Sequence, residues 1–116
     1  MKRGMKYKFS LSLEERKTEC KKMKDKYPDR IPCIVETRVN FPPLDKNKYL
    51  VPPDISVGQF MSLIRKRVKL DPCTAMFMFC DNLMPACAAH ISQIHDLHAS
   101  EDGFLYIEVS GEDTFG

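Results

Sequence analysis

Residues 56–68 read SVGQFMSLIRKRV and contain the clearest structural signal in the chain. Ser56, followed three residues later by Gln59, is a capping-box pattern that starts an α-helix. Apolar side chains then recur at spacings of three and four residues, which places them on one face of that helix. They are Val57, Phe60, Met61, Ile64 and Val68. The stretch therefore predicts an amphipathic helix with one face available to cover a sheet.

Apolar segments that are typical of β-strands lie on both sides of this helix. IPCIVETRV at 31–39 and KYLV at 48–51 precede it, while TAMFMFC at 74–80 and FLYIEV at 104–109 follow it. Pro52-Pro53 ends the second segment because proline cannot donate to a strand ladder. A short helix is predicted at 92–98, and a polar helix from the Ser12 capping box to Tyr27-Pro28.

The order of these elements predicts an α+β fold. Two hairpin-like strand pairs flank one long helix, which indicates a mixed four-stranded sheet packed on a central helix, the ubiquitin-like β-grasp. The polar helix adds an N-terminal extension, with a thin apolar side that suits the surface of a domain. We predict three parts: a basic helical extension at 1–30, the ubiquitin-like domain at 31–110 and a flexible tail at 111–116.

Charge is distributed unevenly along the chain. The whole sequence carries a formal charge of +2, but residues 1–30 alone contain eleven Lys/Arg and five Asp/Glu. The arm from Lys2 to Lys8 is predicted either to contact anionic lipid or microtubules, with Tyr7 and Phe9 adding apolar contacts, or to be a solvated helix face. Nucleic acid is disfavoured, since no binding motif occurs and aromatic residues do not interleave with the basic run.

The sequence offers little for catalysis or metal binding. Five cysteines with no CxxC pair argue against a secreted disulfide scaffold and favour reduced thiols used as small apolar side chains. Cys87, His90, His95 and His98 match no usual zinc spacing. No nucleophile elbow, P-loop or HExxH motif is present. We therefore expect no metal, no cofactor and no catalytic residue, with an enzyme or metal protein kept as the competing hypothesis.

Several motifs resemble one known family. KYPDRIP at 26–32, DKNKYLVP at 45–52, VGQF at 57–60, LIRKR at 63–67 and FLYI at 104–107 occur in order, followed by an aromatic-glycine ending. The chain resembles the autophagy ubiquitin-like modifiers, the GABARAP and light-chain-three relatives of the autophagy-related protein eight family. It departs from them in a short segment between Arg38 and Asp45 and in an unusually basic arm.

The resemblance implies a modifier that is not an enzyme. Gly116 would be passed along activating and conjugating enzymes and joined to phosphatidylethanolamine, with a cysteine protease for processing or delipidation. Whether Gly116 is a processed end is left open. The protein would be cytoplasmic first, then membrane-associated on autophagosomes or other vesicles. An unconjugated peptide-binding adaptor in vesicle trafficking is the alternative.

The resemblance also implies a groove for aromatic-x-x-aliphatic peptides. Three sets of side chains would form this groove: an aromatic pocket, an aliphatic pocket and cations that attract acidic peptide residues. The aromatic pocket would comprise Glu19, Met23, Pro32, Lys48, Leu50 and Phe104. The aliphatic pocket would comprise Tyr49, Val51, Pro52, Ile55, Phe60 and Leu63. Acidic residues would contact Arg30, Lys46 and Arg67.

Overall fold

The central helix α3 spans Val57–Val68, the limits that the capping box and the apolar stripe predict. The computed structural model describes residues 6–38, 41–71 and 73–111. Around α3 it places seven further elements. They are α1 (Lys6–Ser10), α2 (Leu13–Lys26), β1 (Ile31–Thr37), β2 (Lys48–Val51), β3 (Met76–Phe79), α4 (Ile91–His98) and β4 (Leu105–Gly111). No helix in the described ranges is long and apolar enough to cross a membrane.

The four strands form one mixed sheet in the order β2-β1-β4-β3. β1 pairs with β2 and β4 with β3 in antiparallel fashion, while the central pair β1 and β4 is parallel. The predicted mixed four-stranded sheet is confirmed, and β2 has the bounds that the sequence predicts. β4 continues through Gly111, the first residue of the predicted tail, and residues 112–116 lie outside the described part.

Apolar side chains form a core on each face of the sheet. On one face α3 and α4 cover the larger core, where Phe60, Ile64 and Ile94 meet Val35 and Ile107. On the other face a smaller core joins Tyr7, Cys20, Ile34 and Phe104. The N-terminal extension is therefore packed against the sheet through an apolar contact of its own.

An ion pair and its hydrogen bonds fasten the two N-terminal helices to the chain just before β4. The Arg16 Nε atom donates to Asp102 Oδ2 at 2.9 Å, and neither side chain is much exposed, at 11% and 0%. Arg16 Nη1 also donates to the carbonyl oxygens of Lys8 and Leu11. Tyr106 donates its hydroxyl to Asp102 Oδ2. This network fixes where α2 lies on the sheet.

The structure corrects the expectation for the basic arm. Tyr7 is 6% exposed and packs edge-on against Phe104, with ring centroids 5.6 Å apart. Its ring cannot contact a membrane while α1 is docked, so that part of the prediction is wrong. Phe9 remains 79% exposed, and Lys8 places its ammonium 4.5 Å from the Tyr106 ring. Lys2 and Arg3 lie outside the described residues.

Gly103 occupies a backbone conformation that other residues rarely adopt, with φ at +96°. A Cβ atom there would lie 2.8 Å from the Sγ atom of Cys20, a buried residue of α2. We expect Gly103→Ala to lower the free energy of unfolding by about 1–3 kcal/mol, through backbone strain and this overlap. Denaturant titration measures the change.

The matched control is Gly58→Ala in the first turn of α3. Its new Cβ would meet Cys87 backbone and side-chain atoms at 3.5 and 3.6 Å, ordinary contact distances. Because alanine is favoured over glycine inside a helix, this variant should be neutral or more stable by up to about 1 kcal/mol. Equal destabilisation of the two variants would contradict the assigned strain.

Candidate functional site

Strand β2 lies at one edge of the sheet and exposes part of its backbone. The Val35 N–H donates to the Asn47 carbonyl at 2.8 Å, and Cys33 and Ile34 lie opposite Tyr49 and Lys48. Bonded and non-bonded pairs alternate in an antiparallel ladder, so Tyr49 bonds to β1 and Lys48 does not. Leu50, two residues along from Lys48, likewise makes no main-chain hydrogen bond to β1. The main-chain groups of Lys48 and Leu50 therefore point to the open edge.

The side chains of β2 divide between the two faces of the sheet because they alternate along the strand. Lys48 and Leu50 lie on the face that α2 covers, and the Lys48 ammonium pairs with Glu19 of that helix. Tyr49 and Val51 lie on the opposite face and pack with the larger core beneath α3. The β2 side chains of the predicted aromatic and aliphatic sets thus alternate between the two faces, although Leu50, predicted for the aromatic set, also lines the cleft between β2 and α3.

The predicted aromatic set comes together between α2, β1 and β2. The Lys48 Nζ atom lies 3.0 Å from Glu19 Oε1, and this hydrogen bond lowers the pKa of Glu19. Met23 packs against the smaller core, whose central residue Phe104 is fully buried. Pro32 is also fully buried. Phe104 and Pro32 therefore form a floor beneath the more accessible groups.

The predicted aliphatic set lines a cleft of about 220 Å³ between β2 and α3. Tyr49, Val51, Pro52, Phe60 and Leu63 all contribute to it. Leu63 is 54% exposed although it lies on the central helix, so it is available at the mouth of the cleft. Ile55 is not among the lining residues and packs against the larger core instead.

The three predicted cationic residues surround the same strand. Arg30 Nη1 lies 3.4 Å from the carbonyl oxygen of Leu50, one of the outward-facing groups of the edge. The Lys46 ammonium lies 4.9 Å from the Tyr49 ring centroid. Arg67 Nε pairs with Asp45 at 3.1 Å, so an acidic ligand group would compete with Asp45 for it. The charge near the cleft is thus positive but partly neutralised.

Sequence reasoning missed two residues of this region. Ile64 contributes to the aliphatic cleft, although its place on the apolar stripe indicated core packing alone. Tyr7 joins the aromatic set by packing on Phe104. The spacing of Tyr7 and Leu11, four residues apart, was the available signal, since both side chains belong to the smaller core. The site that the sequence assigns to Gly116 lies outside the described residues.

The cysteine and histidine residues have ordinary environments. Cys20, Cys33 and Cys80 are buried, whereas Cys73 and Cys87 are exposed, and all five thiols are free. Burial raises the pKa of Cys80 to about 12, which makes its thiol a poor nucleophile. Two histidines instead bond within the fold: His95 Nε2 lies 3.0 Å from the Gly103 carbonyl and His98 Nδ1 lies 2.8 Å from Asp81. Within ranges 6–38, 41–71 and 73–111, no group of three metal-ligating side chains forms.

Comparison with known proteins identifies the family. The family model described as "Autophagy protein Atg8 ubiquitin like" matches residues 15–116. The chain belongs to the Atg8 family. Autophagy-related protein 8 of Mycosarcoma maydis is 53% identical over 112 residues, which cover 95% of each chain. The protein of the same name from Schizosaccharomyces pombe is also 53% identical, over 95% of this chain and 93% of its own.

Solved Atg8 structures agree with this assignment. Trypanosoma brucei ATG8 superposes with a TM-score of 0.89 at 42% identity, over 96% of this chain and 97% of that one. Plasmodium falciparum Atg8, solved in complex with a Plasmodium falciparum Atg3 peptide, gives a TM-score of 0.79 at 29% identity, over 91% and 98%. The predicted family and β-grasp fold are confirmed. As an Atg8 protein, the chain is an autophagy ubiquitin-like modifier and not an enzyme.

Proposed function

We propose that this Atg8 protein is conjugated through Gly116 to phosphatidylethanolamine on autophagosomal membranes and recruits cargo receptors there through aromatic-x-x-aliphatic peptides. The observation that supports peptide capture is the open edge of β2, with an aromatic set on one face and an aliphatic cleft on the other. Family membership supports conjugation, and a relative solved with an Atg3 peptide supports conjugating enzymes among the partners. Activating enzymes, a processing protease and the membrane complete the proposed set.

The geometry of β2 explains the spacing of the proposed motif. An extended peptide that adds to the edge pairs with the outward main-chain groups of Lys48 and Leu50. Its side chains alternate between faces, so residues three apart point to opposite sides of the sheet. An aromatic residue at position i then enters the set around Glu19, while the aliphatic residue at i+3 enters the cleft around Leu63. Peptide residues two or four apart lie on one face, so they cannot fill both the aromatic set and the aliphatic cleft.

Two buried anchors account for a reversible interaction. An aromatic anchor buries about 150–250 Å², and at about 25 cal/mol/Å² this contributes several kcal/mol before association costs. Two anchors minus those costs leave roughly micromolar affinity. A cargo receptor must be captured and later released, and this range of affinity permits both.

The spacing of the anchors is the direct test of the groove. We expect a peptide with its aromatic and aliphatic residues at i and i+3 to bind about 10–100-fold more tightly than peptides that space them at i+2 or i+4. The reason is that the misplaced anchor stays in water. Titration calorimetry with the full chain measures the affinities.

Alanine variants of the protein test which residues on each face of β2 bind the peptide. Leu50→Ala, Tyr49→Ala and Leu63→Ala should each weaken the i, i+3 peptide while leaving the domain folded. Leu83→Ala is the matched control, because Leu83 is 61% exposed and lies away from β2 and its cleft. Spacing-independent binding, or equal affinity for wild type and the Tyr49/Leu50 double variant, would reject the groove.

A further inference from the structure

The chain leaves the described fold towards Gly116 at one end of the sheet, which we call the tail end. β1 and β4 are parallel and both finish there, with Thr37 opposite Val109. β3 begins there, with Met76 opposite Gly111. Five residues follow Gly111, and five residues span at most about 17 Å. A membrane that holds Gly116 therefore lies close to this end of the domain.

Helix α3 brings exposed cations to the tail end. Arg65 donates to the Thr74 carbonyl at 2.8 Å, just before β3, so α3 finishes at the tail end. Lys66 and Lys69 are exposed, and neither has an ion-pair partner among the described residues. The last turn and the C-cap of α3 contain four basic residues: Arg65, Lys66, Arg67 and Lys69. No other Lys or Arg follows Lys48 in the sequence, so the fold gathers all the later cations at one end.

The acidic side chains at the tail end leave these cations largely free. Asp45 pairs with Arg67 at 3.1 Å, and Glu108 pairs with Arg38 at 2.8 Å. Both carboxylates therefore already have partners. Asp71 is exposed and offsets part of the remaining positive charge. The end of α3 thus keeps a net positive charge.

The acidic tail gives this positive charge a role at an anionic surface. Glu112 and Asp113 belong to the five residues between β4 and the C-terminus, so conjugation through Gly116 would bring two negative charges towards the membrane. An anionic surface repels them, and charges interact over about 8 Å at physiological ionic strength. Lys66 and Lys69 lie at the same end of the domain and oppose that repulsion.

The basic residues of α2 are a weaker candidate for the same surface. Lys21 pairs with Asp25 at 2.8 Å, and Lys22 lies 3.9 Å from Glu19, so acids and cations are interspersed along that helix. Helix α2 also pairs with the chain just before β4, at the opposite end of the sheet from the tail. A membrane that holds the tail is therefore closer to the end of α3 than to this part of α2.

We propose that Lys66 and Lys69, at the end of α3, bind anionic lipid head groups and orient the conjugated domain with its tail end on the membrane. This inference rests on the proposed conjugation, and it adds the face that meets the membrane and the charge of the lipid. Each Lys or Arg near an anionic surface strengthens binding about fivefold. Two cations alone hold the protein only weakly, so the contact selects orientation and membrane charge in addition to attachment through Gly116.

The first experiment measures binding of the unconjugated full chain to vesicles of phosphatidylcholine with and without phosphatidylserine. We expect wild type to prefer the vesicles that contain phosphatidylserine. Lys66→Gln/Lys69→Gln should lower the partition onto these vesicles by about 10–30-fold, because it removes two cations from the contact. Vesicle sedimentation measures the partition, and thermal unfolding checks that the variant is folded.

Lys17→Gln/Lys21→Gln is the matched control, since it removes the same charge from exposed positions of α2. This part of α2 is fixed by the pair between Arg16 and Asp102, at the end of the sheet where β4 begins. The control should bind nearly as wild type does. Equal losses in the two double variants, or equal binding of wild type to both kinds of vesicle, would overturn the inference. Neither result bears on conjugation through Gly116, because the chain in this assay is unconjugated.

Two native thiols can report which end of the domain faces the lipid. Cys73 and Cys87 are exposed, whereas the other three cysteines are buried. Cys73 precedes Thr74, whose carbonyl accepts from Arg65 near the end of α3. The Cys87 carbonyl accepts from the Gly58 N–H at 3.0 Å, in the first turn of the same helix. A helix of this length spans about 18 Å, so the two thiols lie at different depths if the domain is oriented.

The second experiment therefore attaches a fluorophore to one thiol at a time, using Cys87→Ser to label Cys73 and Cys73→Ser to label Cys87. The vesicles contain phosphatidylserine and a lipid with a nitroxide on its head group, which quenches at short range. We expect stronger quenching at Cys73 than at Cys87. Equal quenching at the two positions, or stronger quenching at Cys87, would overturn the proposed orientation.

Discussion

Replacing Asp102 by alanine is expected to lower the free energy of unfolding by about 3–5 kcal/mol, because it leaves the Arg16 charge buried without its partner. The Asp102 side chain is fully buried and holds three groups: Arg16 Nε, the Tyr106 hydroxyl and the Phe104 N–H. Chemical denaturation measures the effect as a lower midpoint with an unchanged slope. Asp102→Asn, which keeps the size of the side chain and one carbonyl oxygen, should lower the free energy of unfolding by less than Asp102→Ala does.

Asp25→Ala is the control for this variant, because it also breaks an ion pair made by α2. Asp25 pairs with Lys21 at 2.8 Å, but the two side chains are 65% and 75% exposed. Exposed pairs spaced i, i+4 contribute about 0.3–0.5 kcal/mol, so its midpoint should barely move. If both variants lost the same stability, the network would not be what fastens α2. Loss of Asp102 should also weaken peptide binding, since α2 supplies Glu19 and Met23.

Replacing Gly116 by alanine is expected to abolish the lipid-linked form in cells. The proposed transfer requires the terminal carbonyl to pass through narrow enzyme clefts and accept nucleophilic attack, and a side chain at that carbon obstructs both. Gel mobility and membrane fractionation measure the linked form, and mass spectrometry of the C-terminus identifies the adduct. Peptide affinity of the purified variant should equal that of wild type, because the groove lies on β2.

Glu112→Gln provides the control in the same segment, since it alters the tail and keeps the terminal glycine. It should retain the lipid-linked species. Persistence of membrane-bound Gly116→Ala at the wild-type level would exclude conjugation through Gly116. Such a result, together with intact peptide binding, would favour the unconjugated adaptor in vesicle trafficking.

Local sequence signals predicted the elements closely where they are strong. The capping boxes at Ser12 and Ser56 are both formed, with Glu15 and Gln59 in their predicted roles. Pro52-Pro53 ends β2 as expected. In β3 the predicted strand at 74–80 shortens to Met76–Phe79, because pairing with β4 fixes its extent. Strand ends depend on a partner that local sequence does not specify.

Long-range contacts explain what the sequence did not reveal. Tyr7 is buried only because Phe104, distant in sequence, receives it. Local sequence does not distinguish Arg16 from the other cations of α2, because its partner Asp102 is brought beside it only by the fold. Phe41 lies in a proline-rich segment that reads as a loop, yet it is 5% exposed in the larger core. Of the candidate site, the β2 residues and the floor residues Pro32 and Phe104 followed from the family resemblance, while the packing of Tyr7 on Phe104 required the three-dimensional arrangement.

The sheet order separates the strand that leads to the proposed attachment residue from the strand that is proposed to bind peptides. The chain continues towards Gly116 from β4, a central strand, whereas ligands would add to β2 at the margin. A single copy could then be anchored and occupied at the same time. Many anchored copies on one vesicle would present a two-dimensional array. A receptor with several motifs would then bind about 10²–10⁴-fold more tightly than a receptor with one motif, without any stronger individual contact. Selectivity would then depend on local copy density as much as on the motif.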